Sequence, residues 1–165
     1  VMSRHRRSFS LLAALTALAA SAALVGCSPG DSEARVDPPS APPADVADLC
    51  AALHKELPET VASLARTPAL PESDLTAAWG GSAIVLRCGI PRPAKMLDDK
   101  AEGVDVNGVG WLLEKLGDGG FRFTTGSRLA YTEVRVDKEH ATDAGMLVGL
   151  SASIAKTVPV GVASY

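Results

Sequence analysis

Arg4, His5, Arg6 and Arg7 precede a run without a single charge from Ser8 to Gly26, and the run stops at Cys27. Basic, then apolar, then small is the order of an export signal. No other feature constrains the chain as much. It takes 26 of the 165 residues out of the folding problem and places the rest in an oxidising compartment, where cysteines pair.

Leu24-Val25-Gly26-Cys27 fits the lipobox of bacterial lipoproteins, in which the cysteine thiol receives diacylglycerol and a small residue precedes it. An uncleaved signal anchor is the competing reading, because about 17 to 25 apolar residues span a bilayer. It gives no reason for Leu-Val-Gly-Cys at the outer end. Both readings put the rest of the chain on the outer face of the cytoplasmic membrane, and the first makes Cys27 the site of lipid attachment. Acyl burial is worth about 0.8 kcal/mol per methylene, and two or more chains give durable attachment.

The whole chain carries 16 basic and 19 acidic side chains, a formal charge of −3. The signal contains three arginines and no acid, so 13 basic face 19 acidic residues after it, or −6. That excludes a general nucleic-acid binder, which needs a basic excess to neutralise phosphates. It also gives no electrostatic pull toward anionic lipid heads, so membrane attachment falls to the anchor.

Ser28 to Ala44 holds five of the 11 prolines and almost nothing that fills a core. Such a stretch predicts a disordered spacer leaning to polyproline II, reaching roughly 50 Å at about 3.1 Å per residue. The expected organisation is a signal over 1–26, a lipidated cysteine and tether over 27–44, and one domain over 45–165. Within that domain Asp45 is a suitable helix N-cap. Val46, Leu49, Cys50, Leu53 and Leu57 follow at helical spacing up to Pro58. Residues 59–74 read as irregular with one short strand.

Ser82–Gly89 is dense in β-formers between Gly80-Gly81 and Pro91. Residues 94–102 read as a turn or loose helix. Val109–Leu116, Phe121–Thr125 and Leu129–Val136 are three further β-like runs joined by short glycine-containing links, the pattern of an antiparallel meander. Ala144, Leu147, Leu150, Ile154 and Val158 form an apolar stripe on a helix running from near His140 to Pro159. The expected fold is α+β: a two-layer domain with an antiparallel sheet against an N-terminal and a C-terminal helix.

With Cys27 committed to lipid, Cys50 and Cys88 remain as an even pair and predict a disulfide from the first helix to the core strand. Two buried free thiols are the alternative. A redox pair lacks the Cys-x-x-Cys spacing. His54 and His140 lie near no Gly-x-Ser-x-Gly elbow and read as solvated, and His140 with Asp143 is an incomplete zinc set. Asp98, Asp99, Glu102 and Asp105 form an acidic cluster able in principle to act on a glycan, though spacing within a loop fixes no distance. Trp79 and Trp111 beside glycine-rich turns, with Arg87 and Arg92, are the candidate ligand-binding residues, Arg supplying anion recognition; the two tryptophans otherwise plug the core. No metal or cofactor is expected.

Ala78-Trp79-Gly80, Ile84-Val85-Leu86-Arg87-Cys88-Gly89 followed by Pro91, Gly108-Val109-Gly110-Trp111, and Phe123-Thr124-Thr125 before Tyr131-Thr132-Glu133-Val134 together resemble an actinobacterial family of small lipoproteins known only as a domain of unknown function. The resemblance covers about residues 48–137, and Gly81-Ser82 departs from the proline expected after Ala-Trp-Gly. It implies location and fold type and brings no activity or catalytic residue. The expectation is a non-catalytic binding or accessory module of the cell envelope, with an envelope protein or cell-wall component as partner. The alternatives are a small hydrolase using the acidic cluster or His140, and capture of a small anionic ligand by Arg87 and Arg92.

Overall fold

The computed structural model describes residues 33–142 and 144–163. The signal, Cys27 and the first part of the tether lie outside the described residues, as does Asp143. Among the described residues no helix is long and apolar enough to cross a membrane.

The chain opens with β1 (Ala34–Arg35) and α1 (Ala44–Glu56), then β2 (Thr60–Val61), β3 (Leu64–Thr67), β4 (Ala69–Leu70), β5 (Thr76–Trp79) and β6 (Ile84–Ile90). A 3-10 turn at Ala94–Leu97 leads to β7 (Glu102–Val106), β8 (Val109–Lys115), β9 (Phe121–Thr125) and β10 (Tyr131–Val136). A second 3-10 turn, Ala144–Met146, precedes α2 (Leu147–Thr157). Eight strands form one sheet in the order β2-β3-β5-β6-β10-β9-β8-β7, every neighbouring pair antiparallel. The α+β class, the meander and both helices are as the sequence predicts.

Alternation fixes the two faces. Ile84, Leu86 and Cys88 of β6, Val134 and Val136 of β10, Phe123 of β9, Val109 and Trp111 of β8, and Ala77 and Trp79 of β5 all enter the main core. Val46, Cys50 and Leu53 of α1 and Leu147, Leu150 and Ile154 of α2 cover them. Cys50 and Cys88 are bonded, their Cα atoms 5.6 Å apart, which joins α1 to the middle of the sheet.

Four local readings need correction. α1 starts one residue before Asp45: its cap is Pro43, whose carbonyl accepts the Ala47 N–H, and Asp45 sits in the first turn, where the helix dipole favours a carboxylate. Residues 59–74 hold three short strands, too brief for a hydrophobic period to register. β7 starts at Glu102, the last residue of the stretch read as a turn or loose helix, and takes Glu102 and Asp105 of the acidic cluster out of a loop. Asn107-Gly108, both at positive φ, makes the tight turn that folds it back on β8. The last helix begins at Leu147, after the 3-10 turn, and not near His140, which lies in a turn where the Asp137 carboxylate accepts the N–H groups of Glu139 and His140.

The tether is the larger correction. The ordered protein begins at least as early as Ala34, inside the stretch expected to be a free spacer. Ala34 and Val36 are buried against Ala78, Ala69 and Val85 on the side of the sheet away from the helices. Their N–H groups donate to the carbonyls of Pro68 and Leu70, each at 2.8 Å. An extended, proline-rich arm has few N–H donors to satisfy, and burying a valine stabilises the contact by about 2 kcal/mol, so composition that reads as disorder is compatible with docking.

The disulfide closes a loop with a sequence separation of 38. On the chain-entropy account this stabilises the fold by about 4 kcal/mol. Replacing both cysteines with alanine is expected to lower the unfolding free energy by about that amount, measured by urea denaturation against the oxidised protein. A change below ~1 kcal/mol contradicts the staple.

Candidate functional site

The inward turn of Ile84, Leu86 and Cys88 forces Val85 and Arg87 to the opposite face, where β10 presents Glu133 and Arg135, β9 presents Arg122 and β8 presents Glu114. Register then sets the charges side by side. Arg87 pairs with Glu133 at 3.4 Å, and Glu133 reaches Arg122 at 3.8 Å on its other side. Arg122 holds Glu114 through two N–H donors at 3.0 and 3.2 Å. That bond, against the opposing effect of burial and helped by the charges of Glu114 and Glu133, holds the Arg122 guanidinium protonated more firmly than an ordinary arginine. Asp118 accepts the Gly120 N–H and then pairs with Arg135, which together hold its carboxyl below the usual range.

This charged ladder floors two adjoining grooves. One, of about 660 Å³, lies between the arm and the β10 side, with Arg35, Ser82, Arg87, Glu133, Arg135 and Lys138 on its walls. The other, of about 530 Å³, is bounded by Pro39 and Ser40 of the arm and by Pro91, Pro93 and Lys95 of the segment that leaves β6. Arg87 and Glu133 line both. The Arg87 Nε–H donates to the Asp37 carbonyl at 2.9 Å, so the same arginine ties the arm to the ladder. Guanidinium and carboxylate edges alternating along a groove suit a ligand that carries both charge signs, or a polar peptide.

Of the four residues singled out as ligand-binding, Arg92 and Trp111 border one groove, while Trp79 and Arg87 lie elsewhere. Trp79 and Trp111 lie on the helix-facing side, five strands of the sheet apart counted inclusively by the strand order, and each is fully packed. Their indole N–H groups donate to the Pro58 carbonyl at 2.9 Å and to Ser151 Oγ at 3.0 Å. Both tryptophans therefore plug the core. Arg87 is on the other face, and Arg92 lies beyond β6 at the edge of a third groove of about 450 Å³ that Trp111 also borders, with Met96, Glu102, Asp105 and Tyr131.

The acidic cluster lies at exposed positions, with Glu102 and Asp105 bordering that third groove. Asp98 pairs with Lys95 and accepts the Lys100 N–H at 2.9 Å, which hold its carboxyl below the usual range. Asp105 accepts the Gly108 N–H at 3.0 Å in the β7–β8 turn. Among the described residues no group of three or more His, Cys, Asp or Glu side chains is placed to hold a metal ion. His140 is half-buried: its Nδ1 is 2.7 Å from Asp137 Oδ1. It borders a small cleft of about 350 Å³ with Ser63 and Thr142.

His54 is half-buried too. Arg66 of β3 comes within 2.9 Å of its Nε2 and lies 3.4 Å from its backbone carbonyl, joining α1 to the sheet edge. No sequence signal marks this pair, because Arg66 falls in the stretch without periodicity. The outer-face ladder is equally invisible, although Arg87, Glu133 and Arg135 each occupy the polar phase of an alternating strand.

A family model described as a protein of unknown function (DUF3515) matches residues 10–162. The chain belongs to that family. Comparison with curated proteins and with solved structures finds no match. The family match extends past both ends of the resembling stretch, reaching upstream into the apolar run before Cys27 and downstream through α2 to residue 162.

Burial, followed by the Arg66 charge, holds the His54 pKa below 6.5 against weaker opposing pulls from Asp74 and Glu72. The unfolded chain then binds more protons than the folded one just below pH 6.5, so stability falls as pH drops through that value and levels off below the folded pKa. His54→Gln removes this contribution. Urea unfolding of wild type and variant at about pH 7.5 and about pH 5 is expected to show a larger acid loss for wild type. Equal losses contradict a neutral His54.

Proposed function

We propose that this chain is a lipid-anchored module on the outer face of the cytoplasmic membrane, and that it binds an envelope partner through the open face of its sheet without catalysing a reaction on it. The observation that carries the reading is the division of the sheet. One face is sealed by two helices and a disulfide, while the other is an ion-paired floor with two adjoining grooves. A face built of arginine and glutamate edges suits recognition of polar or doubly charged surfaces, and its Glu114, Asp118 and Glu133 carboxylates are all held in ion pairs.

The family match from residue 10 supports the apolar leader as part of the family's own pattern. The basic, apolar, Leu-Val-Gly-Cys order supports acylation at Cys27. A hydrolase acting through Asp98, Asp99, Glu102 and Asp105 has less support, since all four are exposed and two serve local turns. A small anionic ligand at Arg87 remains a narrower version of the same binding reading, but Arg92 does not share that groove.

Two measurements test the parts separately. In a bacterial host, an alkyne fatty acid is expected to label the wild type and not Cys27→Ser, with the variant released from the membrane fraction; unlabelled wild type removes the anchor. A photo-crosslinking residue at Ser40, on the open face, is expected to yield a discrete adduct in cells where one at Ala155, exposed on α2, yields none. Equal capture at both positions, or capture at Ala155 alone, overturns the open-face reading.

A further inference from the structure

The docked arm shortens the tether and gives it a direction. Only six residues, Ser28 to Glu33, separate Cys27 from Ala34. Seven Cα-to-Cα steps span at most about 25 Å fully extended. A fold of about 130 residues has a radius of gyration of roughly 14 Å, so a chain anchored at Cys27 cannot hold the domain far above a bilayer or let it invert freely.

The arm also enters at one particular end of the sheet. Ala34 and Val36 pack beside Ala78 and Val85, the Asp37 carbonyl accepts from Arg87, and a side chain at Gly89 would meet Pro42. The arm thus runs parallel to β6, from the Ile84 end toward the Ile90 end. The registers place Val136 and Phe121 level with Ile84. Residues 80–83 and 116–120 therefore lie at the entry end, where the Asp137 N–H donates to the Ala83 carbonyl. The opposite end, about 20 Å away along seven strand residues, holds the Asn107-Gly108 turn. It also holds the C-terminal segment, where the Gly161 N–H donates to the Ser127 carbonyl.

We propose that the partner of the entry end is the lipid surface itself. The domain stands on the bilayer with residues 80–83 and 116–120 toward the headgroups. The end with Gly108, Ser127 and Gly161 points outward, and Val160 and Val162, both exposed there, are presented away from the membrane. The charges around the entry are mixed, Arg35, Arg135 and Lys138 against Glu33, Asp118 and Glu139, so tether length rather than adhesion sets the orientation. This rests on Cys27 as the anchor point.

The test places residues 27–165, which include every described residue, on phosphatidylcholine nanodiscs doped with gadolinium-chelating lipid. The Cys27 thiol is joined to a maleimide lipid, the other two cysteines being bonded to each other. Amide signals of Gly81, Ser82 and Gly119 are expected to lose intensity while those of Gly108, Ser127 and Gly161 keep theirs. A flexible ten-residue insertion between Ser32 and Glu33 is expected to abolish the difference. Even loss at both ends, stronger loss at the Gly108 end, or a bias that survives the insertion overturns the proposal. Chemical attachment makes the result independent of whether cells acylate Cys27, so failure of the anchor and failure of the orientation are told apart.

Discussion

The bond between Cys50 and Cys88 is the constraint from which the rest of the architecture follows. It joins the buried side of α1 to β6, an interior strand with neighbours on both sides. Because strand side chains alternate, a cysteine committed to the helix side commits Ile84 and Leu86 to the same side and Val85 and Arg87 to the other. The sheet acquires an inside and an outside from one covalent link and a period of two.

The outer face then works under a different rule from the inner one. Its middle cannot be apolar without exposing a large patch to solvent, and it is filled by arginine and glutamate in register. Exposed ion pairs are worth little singly. Here Glu133 is shared by two arginines and is largely shielded, so the ladder is a positioned network. The docked arm caps one flank of it, and the segment leaving β6 caps the other. The grooves exist because these two coverings leave the space between them open.

Recognition of the site from sequence stops at a definite place. The strands that carry it were legible: Phe121–Thr125 is found with the bounds the pattern predicts, and Ser82–Gly89 and Val109–Leu116 differ from the observed strands by one or two residues at their ends. Arg87 was legible as an outward side chain on such a strand. Its partnership with Glu133, 46 residues away, was not, since it depends on β10 inserting beside β6 instead of β7 doing so. The tryptophans misled for a related reason. Rarity in a chain with 4% aromatic residues marks a residue as notable, but in this fold it marks the two largest pieces of the core.

The sequence by itself determined the apolar run that ends at Cys27, Cys50 and Cys88 as the cysteines that pair, the two helices and the long strands. These are set by local composition, by periods of 3.6 and 2, and by residue counting. Tertiary structure alone decided what strands of two to four residues would do, which charges would meet, and that Ala34 and Val36 would dock on the sheet. A short segment carries too few side chains to show a period, and a proline-rich one reads as spacer until a complementary surface is present. That surface is assembled from β4, β5 and β6, and no window of the sequence around residue 34 contains it.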